Sequence, residues 1–453
     1  MNQTELKATS SLALIMALRM IGLFMILPVF ALYAEHLEGT TPFLIGVAIG
    51  IYGLTQASLQ IPFGMLSDRI GRKTVITIGL LIFALGSIVA AVSTDITGVI
   101  IGRALQGGGA IAAALLALTA DLTYEEHRTK AMAIIGMTIG MSFIFALSIG
   151  PVLNHWIGVP GIFWATAGLA VIAIIVLHTV VPQPHHCRFH RDTEPVLSQF
   201  SNIFHDAQLM RLNIGIMILH CMLTALFVVM PLILKDKLPV SQHWMVYFPI
   251  LLFSFLSIIP LIIVGEKKHH LKFVFVFAIG LLITAQLGFA YFNQSFVWLV
   301  AFLFLFFMAF NLLEASLPSL VSKIAPPENK GTAMGVYSSS QFLGAFIGGV
   351  SGGWFHHQYS DMAVFLFCAV LAGIWFILAI TMRSPNYLSP HFLNVGELDK
   401  QQANQLTKQL AQIPGVAEAV VILEDGVAYL KIDRDILDMS ALEQFSIPEE
   451  ARC

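Results

Sequence analysis

The sequence predicts an all-α polytopic membrane protein: twelve spanning helices in two six-helix halves, followed by a small C-terminal α+β domain of ferredoxin-like plan. Three observations predict it. The chain has 453 residues, of which 57% are hydrophobic and only 11% charged, where a soluble chain carries about 25% charged residues. Its apolar runs are continuous and near twenty residues long rather than short and alternating, which selects helices over a barrel. From about Pro390 the composition turns polar, and a new pattern begins.

The spanning segments are expected at 11–34, 43–66, 73–93, 97–120, 128–153, 159–181, 209–234, 243–265, 271–292, 296–322, 330–354 and 360–383. The longest connection, 182–208, carries Pro182, Pro184 and Pro195. It reads as a linker between an N-terminal half, 1–181, and a C-terminal half, 209–384. The first run follows Lys7 but lacks a small-residue cleavage site, so it reads as an uncleaved helix. Orientation follows Lys and Arg: alternate loops hold Arg69, Arg72, Lys73, Arg128, Lys130, Arg188, Arg191, Lys267, Lys268, Lys272, Lys323 and Lys330, with Lys7 and Arg383 on the same side, against Lys235 and Lys237 in the opposite set. Both termini are therefore expected in the cytoplasm.

The tail, 390–453, is expected to form strand 391–396, a helix over 399–412 stopped by Pro414-Gly415, strands 416–423 and 427–432 across Asp425-Gly426, and a helix from Ser440. Its small apolar face is expected from Leu393, Leu406, Val420, Ile422, Leu430 and Ile432. This order looks like a ferredoxin-like domain without a clear last strand. It resembles heavy-metal-associated domains, but their Cys-x-x-Cys pair is missing, which argues against metal carriage.

Gly64-Met-Leu-Ser-Asp-Arg-Ile-Gly-Arg-Lys73 joins the second and third segments. Gly64 permits a close backbone approach, and Gly71 a tight reversal. Asp68 at a membrane surface needs a cation, which Arg72 offers, or the positive end of a neighbouring helix. With Arg69 and Lys73 the stretch is either a conformational switch or a solvated orientation signal. It resembles the loop of the major facilitator superfamily, Gly-x-Leu-Ala-Asp-Arg-x-Gly-Arg-Lys, with Ser67 in place of Ala. Arg103-Ala-Leu-Gln106-Gly107-Gly-Gly109 resembles the fourth-helix motif of that superfamily, and Gly150-Pro151 resembles in part the motif of its antiporter branch, with Ala146 at the usual first Gly. An acid at Asp121 implies, by the same resemblance, a charge network with the loop, in which Asp121 pairs with Arg72 and Arg128 is a competing cation. The second-half counterpart of the loop, 265–272, keeps Gly265 and positive charge but no Asp.

Ionisable groups inside spans are functional candidates, because a bilayer makes them costly. Arg19 would attract a carboxylate on substrate or protein. Arg103 either tunes a nearby acid or positions an anionic group, or else binds backbone carbonyls of the opposite half, and Gln106 hydrogen-bonds across the helix contact that the glycines allow. Glu314, in the tenth segment, is the leading proton carrier or else a clamp between helices. His220 in the seventh either titrates or packs. The His pairs at 185–186 and 269–270, with His190, read as solvated loops, so no metal is expected. Cys187, Cys221, Cys368 and Cys453 form no recognisable framework.

The resemblance implies a proton-coupled inner-membrane antiporter exporting drug-like or metabolite compounds by alternating access, with lipid, protons and a small molecule as partners and no cofactor. Contacts or self-association through the tail are a further expectation. A transporter-like sensor or scaffold signalling through its tail is the alternative. No basic segment with interleaved aromatics supports nucleic-acid binding, and no nucleophile–base set or phosphate loop supports an enzyme.

Overall fold

The computed structural model describes residues 1, 3–183, 200–267, 270–325, 330–382, 389–396, 398–422, 426–432, 436–437 and 439–445. The chain divides into two compact units, Met1–Arg383 and Ser384–Cys453. The expected linker centre with His185, His186 and His190, as well as His269, lies outside the described residues.

Among the described residues, the first unit is built of helices. Its N-terminal half comprises α1 (Gln3–Phe24), α2 (Leu27–Ala34), α3 (Pro42–Ile70), α4 (Arg72–Val92), α5 (Ile96–Gly108), α6 (Ala112–Asp121) and α7 (Glu125–Thr179). After the short α8 (Phe200–His205) come α9 (Ala207–Lys235), α10 (Trp244–Lys267), α11 (Leu271–Phe292), α12 (Phe296–Ile324), α13 (Lys330–Gln358) and α14 (Asp361–Ile380). Among the described residues, ten helical runs are long and apolar enough to cross a membrane. All twelve expected segments fall in helices: two share the 55-residue α7, and one is α13, whose glycines and serines make it less apolar.

Three boundaries differ from expectation. The first segment breaks between α1 and α2, ahead of Pro28, which sits where a helix N-terminus tolerates the missing N–H. The fourth breaks between Gly108 and Ala112, at a run of three glycines. No loop separates the fifth and sixth segments; α7 instead kinks at Gly158, whose φ of +66° is left-handed and is followed by Pro160.

The two halves of the helical unit meet closely at α3 and α13. A Cβ on Gly46 would overlap the Gly349 carbonyl, and one on Gly53 the Phe342 carbonyl. On its other side α13 meets α9 in the same way, Gly344 against the carbonyl of Met217 and Gly348 against that of Cys221. Without a hydrophobic drive between helices in lipid, such small-residue contacts supply the packing. An apolar cluster inside the N-terminal half joins Met16 and Met20 to Tyr52, Phe83 and Ile111.

The second unit has strands β1 (Ser389–Asn394), β2 (Val416–Ile422) and β3 (Val427–Ile432) in the antiparallel order β1-β3-β2, with helices α15 (Lys400–Leu410) and α16 (Ser440–Glu443). Asp399 caps α15: its side chain accepts from Gln401 and Gln402 backbone N–H, and Gln402 reaches back to the Asp399 N–H. Leu393, Leu410, Leu430 and Ile432 are buried, and Leu406 packs at their edge. Val420 is a correction. A bulge between Val416 and Glu418 shifts the alternation, so Ala419 and Val421 pack on this core in its place. The side chain of Ile422 lies outside the described residues.

Candidate functional site: a signature loop and two polar clusters

The loop between α3 and α4 turns on Gly71, with φ +96°. The reversal brings Arg72 back over the last turn of α3. Its Nη1 donates to Asp68 Oδ1 and, at 2.7 Å, to Ser67 Oγ. Its Nε donates to Asp121 Oδ2 at 3.2 Å, and the Arg72 and Asp121 side chains are 2% and 0% exposed. Arg72 thus ties α3, α4 and the end of α6 together by charge-assisted bonds. Ser67 hands its own proton to the Gly64 carbonyl, so the departure from Ala adds an acceptor for Arg72. Gly64 meets a side chain rather than a backbone, since an added Cβ would lie 3.2 Å from Ala113 Cβ. Arg69 is exposed. Lys73 Nζ donates to the Val181 carbonyl at 2.6 Å, clamping the chain just past α7.

A second cluster fills the middle of the N-terminal half. Arg19 is 1% exposed. Its Nη2 donates to Tyr52 Oη at 2.8 Å, Gln56 Oε1 at 2.7 Å and the Gly109 carbonyl at 3.2 Å, which the break between α5 and α6 leaves accessible. Gln56 passes the chain on to Gln60 at 3.1 Å. Arg103 stacks 5.2 Å from the Tyr52 ring and donates to Gln106 Oε1 at 2.7 Å, and Gln106 donates to Ser87 Oγ at 2.7 Å. The carbonyl that Arg103 Nε reaches, at 3.4 Å, belongs to Ala48 in the same half, not the opposite one. Gly107 and Gly109 lie against backbone, at the carbonyls of Tyr52 and Gly79. Gly150 meets the Met25 carbonyl at the break between α1 and α2, and Pro151 follows it inside α7.

The third cluster lies in the C-terminal half. Glu314 Oε2 is 3.1 Å from His220 Nε2, and Gln341 Nε2 donates to Glu314 Oε1 at 2.9 Å. Gln341 Nε2 also stands 2.7 Å from His220 Nε2, and the Phe310 ring packs edge-on at 5.6 Å. The Glu314 side chain is 36% exposed and that of His220 12%. His220 is therefore partnered, and three helices, α9, α12 and α13, converge on one carboxylate.

Sequence reasoning missed Gln341, Tyr52, Gln56 and Gln60. The last three had a signal: Tyr52, Gln56 and Gln60 recur at i, i+4 and i+8, one polar stripe on an apolar helix. No group of three or more His, Cys, Asp or Glu positioned for a metal occurs among the described residues.

Comparison with known proteins agrees with this architecture. The family model of the Major Facilitator Superfamily matches residues 12–349 and 267–414. The chain is 46% identical over 446 residues to the inner membrane transport protein YajR of Escherichia coli K12, covering 98% of each. It is 24% identical over 352 residues to the multidrug resistance protein MdtH of Aeromonas salmonicida, covering 76% of this chain and 86% of that one. The fold superposes with a TM-score of 0.70 on a bacterial homologue of the human lysosomal transporter Spinster, at 13% identity, covering 84% of this chain and 98% of that one. The helical bundle, the loop bound by Arg72 and these matches together make the chain a member of the major facilitator superfamily, a multi-pass transporter of the inner membrane.

Proposed function

We propose that the protein is a proton-coupled exporter of small organic compounds working by alternating access, with Glu314 as the proton carrier. The carrying observation is the Glu314–His220–Gln341 cluster. It is a carboxyl inside a spanning helix, part-exposed, with a titratable ring 3.1 Å away. A charged carboxyl inside a spanning helix is costly unless it is partnered, and here the partners come from two other helices. His220 offers the next station, and Gln341 holds the carboxyl in place. The similarity to a multidrug resistance protein, MdtH of Aeromonas salmonicida, supports an export reading. Arg72 is assigned the conformational switch, with Asp68 and Asp121 as its two anchors. The Lys and Arg asymmetry supports a cytoplasmic position for both termini.

The test is reconstitution in vesicles with a compound first found to raise the melting temperature of the purified protein. In Glu314→Gln, accumulation driven by a pH gradient is expected to fall at least about tenfold, as loss of a proton-transfer group does elsewhere. Exchange without a gradient should survive. Full gradient-driven accumulation in that variant would refute the assignment.

The second unit is assigned a regulatory role, as a ferredoxin-like domain in which β3 is central. Its own core and capped helix support its being separable. A chain ending at Arg383 is expected to insert and fold, checked by size-exclusion chromatography and thermal melting, with altered transport. Failure to insert would make the tail part of the membrane core.

A further inference from the structure

Arg19 is held by one nitrogen only. All three of its hydrogen bonds leave from Nη2, while Nε and Nη1 have no hydrogen-bond partner among the described residues. A guanidinium has five N–H donors, and about three of them sit on those two nitrogens. At 1% exposure no solvent reaches them. A buried charged donor left unsatisfied is among the more costly features a fold can carry. None of the three acceptors is a carboxylate, so the positive charge is met by dipoles and by the Phe83 ring, 5.8 Å away.

The position of this group matters as much as its unused donors. The guanidinium stands at the break in the fourth segment, 3.2 Å from the Gly109 carbonyl. Directly beyond the break, α6 starts afresh at Ala112 and runs ten residues. The first turn of a helix presents N–H groups without intrahelical partners and the positive end of its dipole. A helix start three residues beyond the carbonyl that holds a buried cation adds a field that favours negative charge. Its polar surroundings, Tyr52 and Gln56, are already fixed by Nη2 and leave the other donors available.

We infer that Arg19 and the start of α6 form a binding site for the carboxylate of an organic acid, and that the transported compounds include such acids. The site lies in the N-terminal half alone. Phe342 of α13 packs against the apolar cluster around it, with its ring 6.2 Å from that of Tyr52, which Arg19 holds. Separation of α3 from α13 draws that ring away. The inference rests on the transporter reading but not on the role of Glu314.

Binding to the purified full chain tests it, with acid–amide pairs as probes: benzoate against benzamide, salicylate against salicylamide, decanoate against decanamide. Each pair matches in shape and differs in charge. At least one acid is expected to raise the melting temperature by about 2 °C or more at saturation, with its amide inactive. Arg19→Gln should abolish that shift. Arg19→Lys, a cation without the planar fork, should weaken binding about tenfold. An acid acting no better than its amide throughout the panel would overturn the site, as would an undiminished shift in Arg19→Gln. Where Arg19→Gln does not fold, the acid–amide contrast in the unaltered protein decides. Loss of proton-driven flux in Glu314→Gln leaves this result untouched, so the two assignments fail separately.

Discussion

Replacing Gly349 by Leu is expected to abolish transport while leaving the protein inserted. An added Cβ at that position overlaps the Gly46 carbonyl and lies 2.8 Å from the Gly50 backbone. The obstacle is the main chain of α3, so no side-chain rotation relieves it. Overpacking of this kind costs about 1–3 kcal/mol, and separating α3 from α13 avoids it. The state in which these helices touch is therefore depopulated by about one to two orders of magnitude. A cavity of about 290 Å³ near the same contact, lined by Glu35, Pro42, Val228 and Leu232, reports on it. A cysteine placed at Leu232, with the native cysteines replaced, should react faster with an impermeant maleimide in Gly349→Leu. Unchanged labelling with normal flux would show that this contact can be lost without consequence.

The next largest effect is expected at Arg72. Arg72→Met removes the guanidinium that faces both Asp68 and Asp121. Breaking a buried pair from one side costs about 3–5 kcal/mol, because the remaining charge stays desolvated. Asp121, at 0% exposure, carries most of that penalty, whereas Asp68 is 33% exposed and screened by solvent. Arg72→Met should lower the melting temperature markedly. Asp68→Asn should lower it little but shift the balance of conformations, read by the same labelling. Equal destabilisation by the two variants would mean that Asp68 and Asp121 are not held unequally, as their burial requires.

The packing of α13 on α9 in the C-terminal half follows the same logic of backbone contact. Gly344 and Gly348 press α13 onto α9, which brings Gln341 to His220 and Glu314. The Glu314–His220–Gln341 cluster is thus assembled by glycine packing on a helix whose glycines and serines make it less apolar than its neighbours.

What the sequence determined alone is whatever a single segment can decide. Continuous apolar runs select helices, because hydrocarbon leaves no other partner for backbone polar groups. The pairing of Asp68 with Arg72 was legible because it is an i, i+4 contact across one glycine turn. The strands of the tail were legible from alternation and turn residues, up to the bulge at Val416 that misplaced Val420. Only the tertiary structure decided which intramembrane groups meet. Glu314 and His220 lie 94 positions apart, and Arg19 and Gly109 lie 90. In helices apolar on every face, periodicity does not reveal which side turns inward. The rotation and depth of each helix are set by small-residue contacts with its neighbours. Those contacts put Arg19 at the break in the fourth segment and Glu314 beside His220, and no stretch of sequence carries that information by itself.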